Sequence, residues 1–336
     1  MKKIAINGFG RIGRLAFRII NEKYHDLDIV AINDLSSPED LAYLLKYDTV
    51  YGRYRVPEVS FDESSISVGD KQIAVFAEAD PEKLPWKEMG IDLVLECTGA
   101  FTKESGARKH INAGAKKVLI SAPAKEGNVK TIVFNANDEI LDGSEEVVSA
   151  ASCTTNCLAP VLKILDDFIG IEKGLMTTVH AVTTTQSILD SPSKNIKQRR
   201  GRAATFNIIP TSTGAASAIG KVLPNLDKKL DGMALRVPVM TGSIIDLTLE
   251  LKRNTTVDEI NSLFKNNTSE SIFYTEDPIV SSDIIGSTAG AIVDALSTSI
   301  VSDSSDKQLV KVLAWYDNES SFTNQMIRTA RRMLSL

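Results

Sequence analysis

Apolar and polar positions fall into two textures along this chain. Up to about residue 150, short apolar runs are separated by stretches of helical period. Lys3-Ile4-Ala5-Ile6-Asn7 predicts a short buried parallel strand, and the glycine-rich Gly8-Phe9-Gly10-Arg11-Ile12-Gly13 follows at once. Leu15, Phe17, Ile19 and Ile20 then recur as one face of a helix, and Asp28-Ile29-Val30-Ala31-Ile32-Asn33 predicts a second strand closed by Asp34. Further strands are expected over Ile91–Cys97, Lys117–Ser121 and Glu146–Ser149, with helical residues over Ala107–Ala113. A helix is expected from Cys153 to Phe168. Beyond it the strands lengthen: Met176–Thr185, Ala234–Val239, Ser243–Leu251 and Gln308–Tyr316. A closing helix is expected over Thr323–Leu336.

This order predicts an α/β protein of two domains, which 336 residues suit. The first, residues 1–151, reads as a Rossmann-type doubly wound sheet. The second, 152–318, reads as an α+β domain on a large mixed or antiparallel sheet, with helix 319–336 packing back on the first.

Composition narrows the function. The net charge of -5 gives no global field to attract nucleic acid or anionic lipid, so neither is expected as a partner. A phosphate ligand must then be held by a local cluster of cations. The opening MKKIAINGFG has too short an apolar stretch for a secretory leader, and no apolar run approaches the ~20 residues of a membrane span. Three cysteines make no disulfide framework, so a reducing cytoplasm is expected.

Strand, glycine turn and helix in succession form a pyrophosphate site. Backbone N–H groups at a helix start bind the anion, and side chains there would obstruct it. Gly8, Gly10 and Gly13 supply that turn. Asp34 ends the second strand, where a carboxylate accepts from ribose hydroxyls and repels a 2'-phosphate, favouring NAD over NADP; capping the following turn is its other reading.

Cys153 stands at a helix start, where partial positive charge stabilises a thiolate. A packed structural thiol is the alternative, and it is the reading adopted for Cys157. Cys153 and Cys157, with three residues between them, fit neither a thioredoxin-type redox pair nor a zinc site, so no metal is expected. A cysteine acting on an aldehyde needs a base. Of His25, His110 and His180, only His180, at the end of an apolar strand, is placed for that task and for lowering the Cys153 pKa by ion pairing. Arg236 sits inside an apolar strand, where an unpaired charge is costly, so it needs a carboxylate or a ligand phosphate as partner. Arg199-Arg200-Gly201-Arg202 by itself reads as a solvated loop or subunit contact. Asn318, in Trp315-Tyr316-Asp317-Asn318-Glu319, offers a donor and an acceptor to a nicotinamide carboxamide, or caps the next helix.

Taken in order, INGFGRIGR, AIND, SAPAK, ASCTTNCLAP, GLMTTVHA, NIIPTSTGAA, MALRVP and WYDNE resemble the glyceraldehyde-3-phosphate dehydrogenase family over nearly the whole chain. The resemblance implies phosphorylating oxidation of glyceraldehyde 3-phosphate with NAD and inorganic phosphate. Cys153 would form a hemithioacetal and then a thioester, and His180 would be the base. It implies Thr183 and Arg236 around the substrate phosphate, and Ser152, Thr154, Arg199, Thr213 and Gly214 around the attacking phosphate. Arg11, Ile12, Asp34, Ser121 and Asn318 would contact NAD. A homotetramer is implied, with the loop near 181–204 beside a neighbour's cofactor. The chain departs from the family pattern at Ala79, Val182, Ser191, 239–242 and 320–322. Erythrose-4-phosphate dehydrogenase, which releases its thioester with water, and a non-catalytic NAD-binding relative are the competing readings. Thr213-Gly214 favours a true phosphate site, and retention of Cys153 with His180 favours an enzyme.

Overall fold

The apolar run near the N-terminus forms strand β1, Lys2–Asn7, in a computed structural model that describes residues 1–193, 195–303 and 307–336. Ile4, Ala5 and Ile6 are wholly buried, as expected for the centre of a parallel sheet. The chain forms two units. One comprises Met1–Ile132, Asp138–Ala151 and Met326–Leu336; the other comprises Val133–Asn137 and Ser152–Gln325.

In the first unit β1 is joined by β2 (Leu27–Asn33), β3 (Lys71–Phe76), β4 (Leu93–Glu96), β5 (Lys117–Ile120) and β6 (Val147–Ser149). They run parallel in the order β6-β5-β4-β1-β2-β3, and three short strands extend the two edges. Chain order reverses between β1 and β4, which opens a crevice at the strand ends. Helix α1 (Arg11–Lys23) buries Leu15, Phe17, Ile19 and Ile20, the face that the sequence period marks. Helix α2 (Glu104–Asn112) lies between β4 and β5 in the chain.

The second unit opens with helix α3 (Cys153–Phe168), which packs Cys157, Leu158, Val161, Leu162 and Leu165 inward. Its sheet contains β7 (Ile171–His180), β8 (Ile209–Ser212), β9 (Leu230–Arg236), β10 (Ser243–Leu251), β11 (Ile272–Thr275), β12 (Ala291–Ser302) and β13 (Gln308–Tyr316), in the order β8-β9-β7-β10-β13-β12-β11. β7–β9 and β11–β12 are parallel and the other pairs antiparallel, so the sheet is mixed. A further helix, α4, spans Ala215–Val222.

Among the boundaries that differ from the sequence expectation, three have a local cause. β7 stops at His180 rather than running to 185, because Gln186 N–H closes a turn on the Thr183 carbonyl at 2.9 Å. β9 ends at Arg236, two residues before Pro238, which has no N–H for a ladder. The closing helix α5 begins at Ser320, not Thr323, because Asp317 Oδ1 accepts the N–H groups of Glu319 and Ser320, each at 2.9 Å.

Candidate active site

Three elements of the second unit converge on Cys153. Ala151, fully buried, takes φ 60, a left-handed conformation uncommon outside glycine, and so turns the chain sharply into α3. Ser152 caps the helix, its Oγ accepting Thr155 N–H at 3.1 Å. Cys153 is then the first helical residue. His180 ends β7, with its Nε2 3.4 Å from Cys153 Sγ. The β7–β9 register pairs His180 with Arg236, which places the guanidinium against the imidazole. From β13, buried Tyr316 bonds Thr154 Oγ1 at 2.9 Å and Thr178 Oγ1 at 2.7 Å, and its ring meets the His180 ring edge-on at 5.9 Å.

Burial, reinforced by the Arg236 guanidinium, depresses His180 from its ordinary 6.5 to about 3, which favours the neutral imidazole. Burial also raises the Cys153 thiol, with Arg236 pulling the other way. A neutral imidazole with a free Nε2 lone pair is the form in which His180 acts as a general base. Two groups compete for His180 Nδ1. Ala181 O lies 2.7 Å from it, as does Arg236 Nη1, which also donates to Ala181 O at 2.8 Å. Nδ1–H donating to Ala181 O leaves the Nε2 lone pair for Sγ, whereas Nδ1 accepting from Arg236 places the proton on Nε2.

Two arginines that act on this pair each keep a buried Nε without a hydrogen-bond partner, Arg236 and Arg200. Both are N–H donors, and an anion is the ligand that satisfies them. Arg200 acts electrostatically on both His180 and Arg236. Arg199, the residue expected from sequence, is exposed in a turn at φ 57 and donates to Pro210 O at 3.1 Å. Thr183 lies in the turn after β7, its Oγ1 3.0 Å from Thr185 Oγ1. Thr213 Oγ1 accepts Ala215 N–H at 3.2 Å, and Gly214 opens α4. In the 181–204 loop, Lys194 lies outside the described residues.

The first unit holds a separate pocket of about 390 Å³, lined by Gly8, Gly10, Asp34, Ala79, Thr98 and neighbouring residues. Gly8 has φ +91, and a Cβ there would lie 2.7 Å from Thr98 N; a Cβ on Gly10 would enter open space. Gly13 lets α1 approach β1, since its Cβ would sit 2.1 Å from Gly8 O. Asp34 is fixed by Phe9 N–H at 2.8 Å and Ser36 N–H at 3.0 Å. Arg11 pairs with Asp48 and lies over the Tyr51 ring; it and Ile12 are the first two residues of α1 and do not line the pocket. This cradle fits a dinucleotide: bare glycine backbone at a helix start, and an oriented carboxylate at the end of β2. Ser121 N–H bonds Glu96 O at 3.0 Å.

Asn318, in the second unit, is held by its oxygen. Thr241 Oγ donates to Oδ1 at 3.2 Å and Ser243 Oγ at 3.0 Å, which aims the amide nitrogen away from both. Thr241 is one of the departures from the family pattern, and Ser321, another, accepts Asp317 N–H at 3.1 Å. His25 is exposed, whereas His110 is wholly buried. Cys157 is buried and bonded to Ala314 O. Burial, with the Glu96 charge, pushes the Cys97 thiol up to about 12. Among the described residues, no cluster of three or more metal-ligating side chains occurs, and no helix is long and apolar enough to cross a membrane.

Two family profiles match the chain. Residues 2–104 match the NAD binding domain of glyceraldehyde 3-phosphate dehydrogenase, and 152–318 match its C-terminal domain. Proteins named glyceraldehyde-3-phosphate dehydrogenase from Clostridium acetobutylicum and Clostridium pasteurianum are each 58% identical over 330 residues, covering 98% of this chain and 97% of the relative. One from Streptococcus pyogenes is 54% identical over 329 residues, covering 97% of this chain and 96% of the relative.

Proposed function

The chain belongs to the glyceraldehyde-3-phosphate dehydrogenase family, and from that premise we propose that it oxidises glyceraldehyde 3-phosphate with NAD and inorganic phosphate, using Cys153 as nucleophile and His180 as base. The observation that carries this reading is Sγ at 3.4 Å from Nε2, beside two arginines, Arg236 and Arg200, whose buried Nε atoms lack partners. His180 Nε2 takes the thiol proton as Cys153 Sγ attacks the aldehyde carbon, and returns it to the carbonyl oxygen, which receives the carbonyl electron pair; the product is a hemithioacetal and the imidazole is neutral again. NAD, when bound, accepts the hydride. His180 Nε2 takes the hydroxyl proton as the carbon is oxidised, leaving a thioester on Cys153. The backbone N–H of Cys153, at the start of α3, stabilises the developing oxyanion. A phosphate oxygen then attacks the thioester carbon, and Cys153 departs as thiolate with the acyl phosphate released.

Arg236 has two tasks in this scheme. It binds the substrate phosphate with Thr183, while Ser152, Thr154, Arg199, Thr213 and Gly214, with Arg200 added, are assigned to the attacking anion. Drawing Arg236 toward an anion also weakens its hold on His180 Nδ1. That favours the tautomer bonded to Ala181, whose Nε2 is free to accept a proton. Gly8, Gly10, Arg11, Ile12, Gly13, Asp34, Ser121 and Asn318 are assigned to NAD. Residues 1–151 serve as the NAD-binding domain and 152–318 as the catalytic domain.

The protein acts as a homotetramer in this reading. Leu175 on β7, Met233 on β9 and Leu309 on β13 are exposed on the sheet of the second unit, where a second copy would bury them. A reducing compartment, the cytoplasm, suits three free cysteines. The test is NADH formation from glyceraldehyde 3-phosphate, NAD and phosphate, run against Cys153→Ser. Phosphate-dependent turnover that the serine variant abolishes supports the reading. Phosphate-independent turnover on erythrose 4-phosphate would replace it.

A further inference from the structure

Beneath the dinucleotide pocket lies a buried polar network that none of the chemistry above uses. Its centre is Glu96, at the end of β4 and 1% exposed. Glu96 Oε1 accepts Thr98 N–H at 2.8 Å and also the Thr98 hydroxyl; Oε2 accepts Asn7 Nδ2 at 2.5 Å. His110 of α2, fully buried, has Nε2 3.2 Å from Oε2. The tautomer follows from chemistry. Trp86 Nε1, which can only donate, lies 2.9 Å from His110 Nδ1, so Nδ1 accepts and Nε2 carries the proton that goes to Glu96. From Asn7 the order continues: Asn33 Nδ2 donates to Asn7 Oδ1 at 2.7 Å and to Glu78 O at 2.9 Å, and Glu78 N–H returns to Asn33 Oδ1 at 2.9 Å.

Every bond in this chain has a fixed donor. The outer members, Asn7, Asn33, Glu78 and Thr98, line the pocket. A buried carboxylate is no better for stability than a packed apolar side chain, so what it adds here is direction. We propose that Glu96 and His110 are positioning residues for the cofactor, setting which atoms of Asn7, Asn33 and Thr98 face the pocket. This rests on the reading that NAD occupies that pocket. Neither residue touches the ligand. Both act through the polar groups that do, and through the Thr98 backbone against which Gly8 packs.

The test is NAD affinity by calorimetry on full-length protein, with the melting temperature measured alongside. Glu96→Gln keeps the shape but puts a donor where only donors point, so the dissociation constant for NAD should rise about ten- to a hundredfold. KM for NAD should rise with it, while kcat at saturating NAD stays near the parent value. Glu96→Asp, which keeps the acceptors, should recover part of the loss. Alkylation of Cys153 without NAD should proceed at the parent rate, showing that the second unit is intact. If Glu96→Gln does not fold, His110→Phe serves, since it keeps a ring against Trp86 and removes both nitrogens. A parent-like NAD affinity in a folded variant of either residue overturns the proposal. Gly10→Ala separates the two possible failures, because its added methyl enters the pocket alone. If it also leaves NAD affinity unchanged, the pocket assignment is wrong; if it alone weakens NAD, the positioning role is wrong.

Discussion

Three glycines in six residues invite three alanine substitutions, and the structure gives each a different outcome. Gly8 holds φ +91, where a side chain costs about 1–2 kcal/mol. Its Cβ would also meet Thr98 N at 2.7 Å and Cys97 C at 2.8 Å, both backbone, so the end of β4 must move. Adding about 1–3 kcal/mol for that displacement gives a loss of about 2–5 kcal/mol, and a melting temperature lower by about 5–15 °C. Gly13→Ala should be at least as severe, because its Cβ would sit 2.1 Å from Gly8 O and push α1 off β1. Gly10 has φ -70 and nothing within 4 Å of a built Cβ. There the change should stay within about 1 kcal/mol, the ordinary difference between glycine and alanine at a helix cap. Gly10→Ala should nevertheless weaken NAD about tenfold or more, since its methyl stands where the cofactor's backbone contacts lie. Thermal melts with and without NAD, together with calorimetric titration, separate the two effects. A Gly8→Ala protein with parent melting temperature, or a Gly10→Ala protein that unfolds, would refute the reasoning.

Asp34→Gly should raise the ratio of NADP to NAD use, because it removes a carboxylate held in place by Phe9 and Ser36 N–H groups; an unchanged ratio of kcat/KM sinks that assignment. His180→Asn should slow hydride transfer and raise the pH needed for Cys153 alkylation, and an alkylation profile matching the parent would show the two are uncoupled. The same substitution has a signature in stability. The folded pKa of about 3 lies below the ordinary 6.5, so between those values the unfolded chain binds more protons and stability falls as pH falls. From pH 7 to 4.5 this contribution is about 2–3 kcal/mol. Urea melts should therefore show a shallower pH slope in His180→Asn, and equal slopes would contradict the depressed pKa. Arg199→Met and Arg200→Met should each raise KM for phosphate, Arg200→Met about tenfold or more because its Nε is buried without a partner; an unchanged KM in either variant removes that arginine from the site.

The strand–glycine–helix opening was legible because each of its constraints is local. β1, α1 and β2 follow from apolar period, and the glycines follow from what a backbone needs when it passes close to a ligand or another element. Cys153 was legible for a similar reason, since a helix start announces itself in the residues around it. His180 needed elimination among three histidines, which works only because the chain has so few. The ends of β7 and β9 were misplaced because a strand stops where its pairing stops, and the partners of a ladder are not written next to one another.

What escaped the sequence at the site are the relations set by register and by the path of a loop. Arg236 follows a run of apolar residues, and this marks it only as a cation needing an anion. That it stands opposite His180 in a parallel ladder is a property of β7 and β9 together. The consequence is chemical. Burial, together with a cation 2.7 Å from Nδ1, holds the His180 pKa well below its ordinary value. Tyr316 is similar: from sequence it is one aromatic in a strand, yet its hydroxyl ties Thr154 beside the nucleophile to Thr178 two residues before the base. Residue types at the site were therefore readable from sequence, but their protonation was not. A pKa depends on burial and on the nearest charge, and in this site the nearest charge comes from another strand.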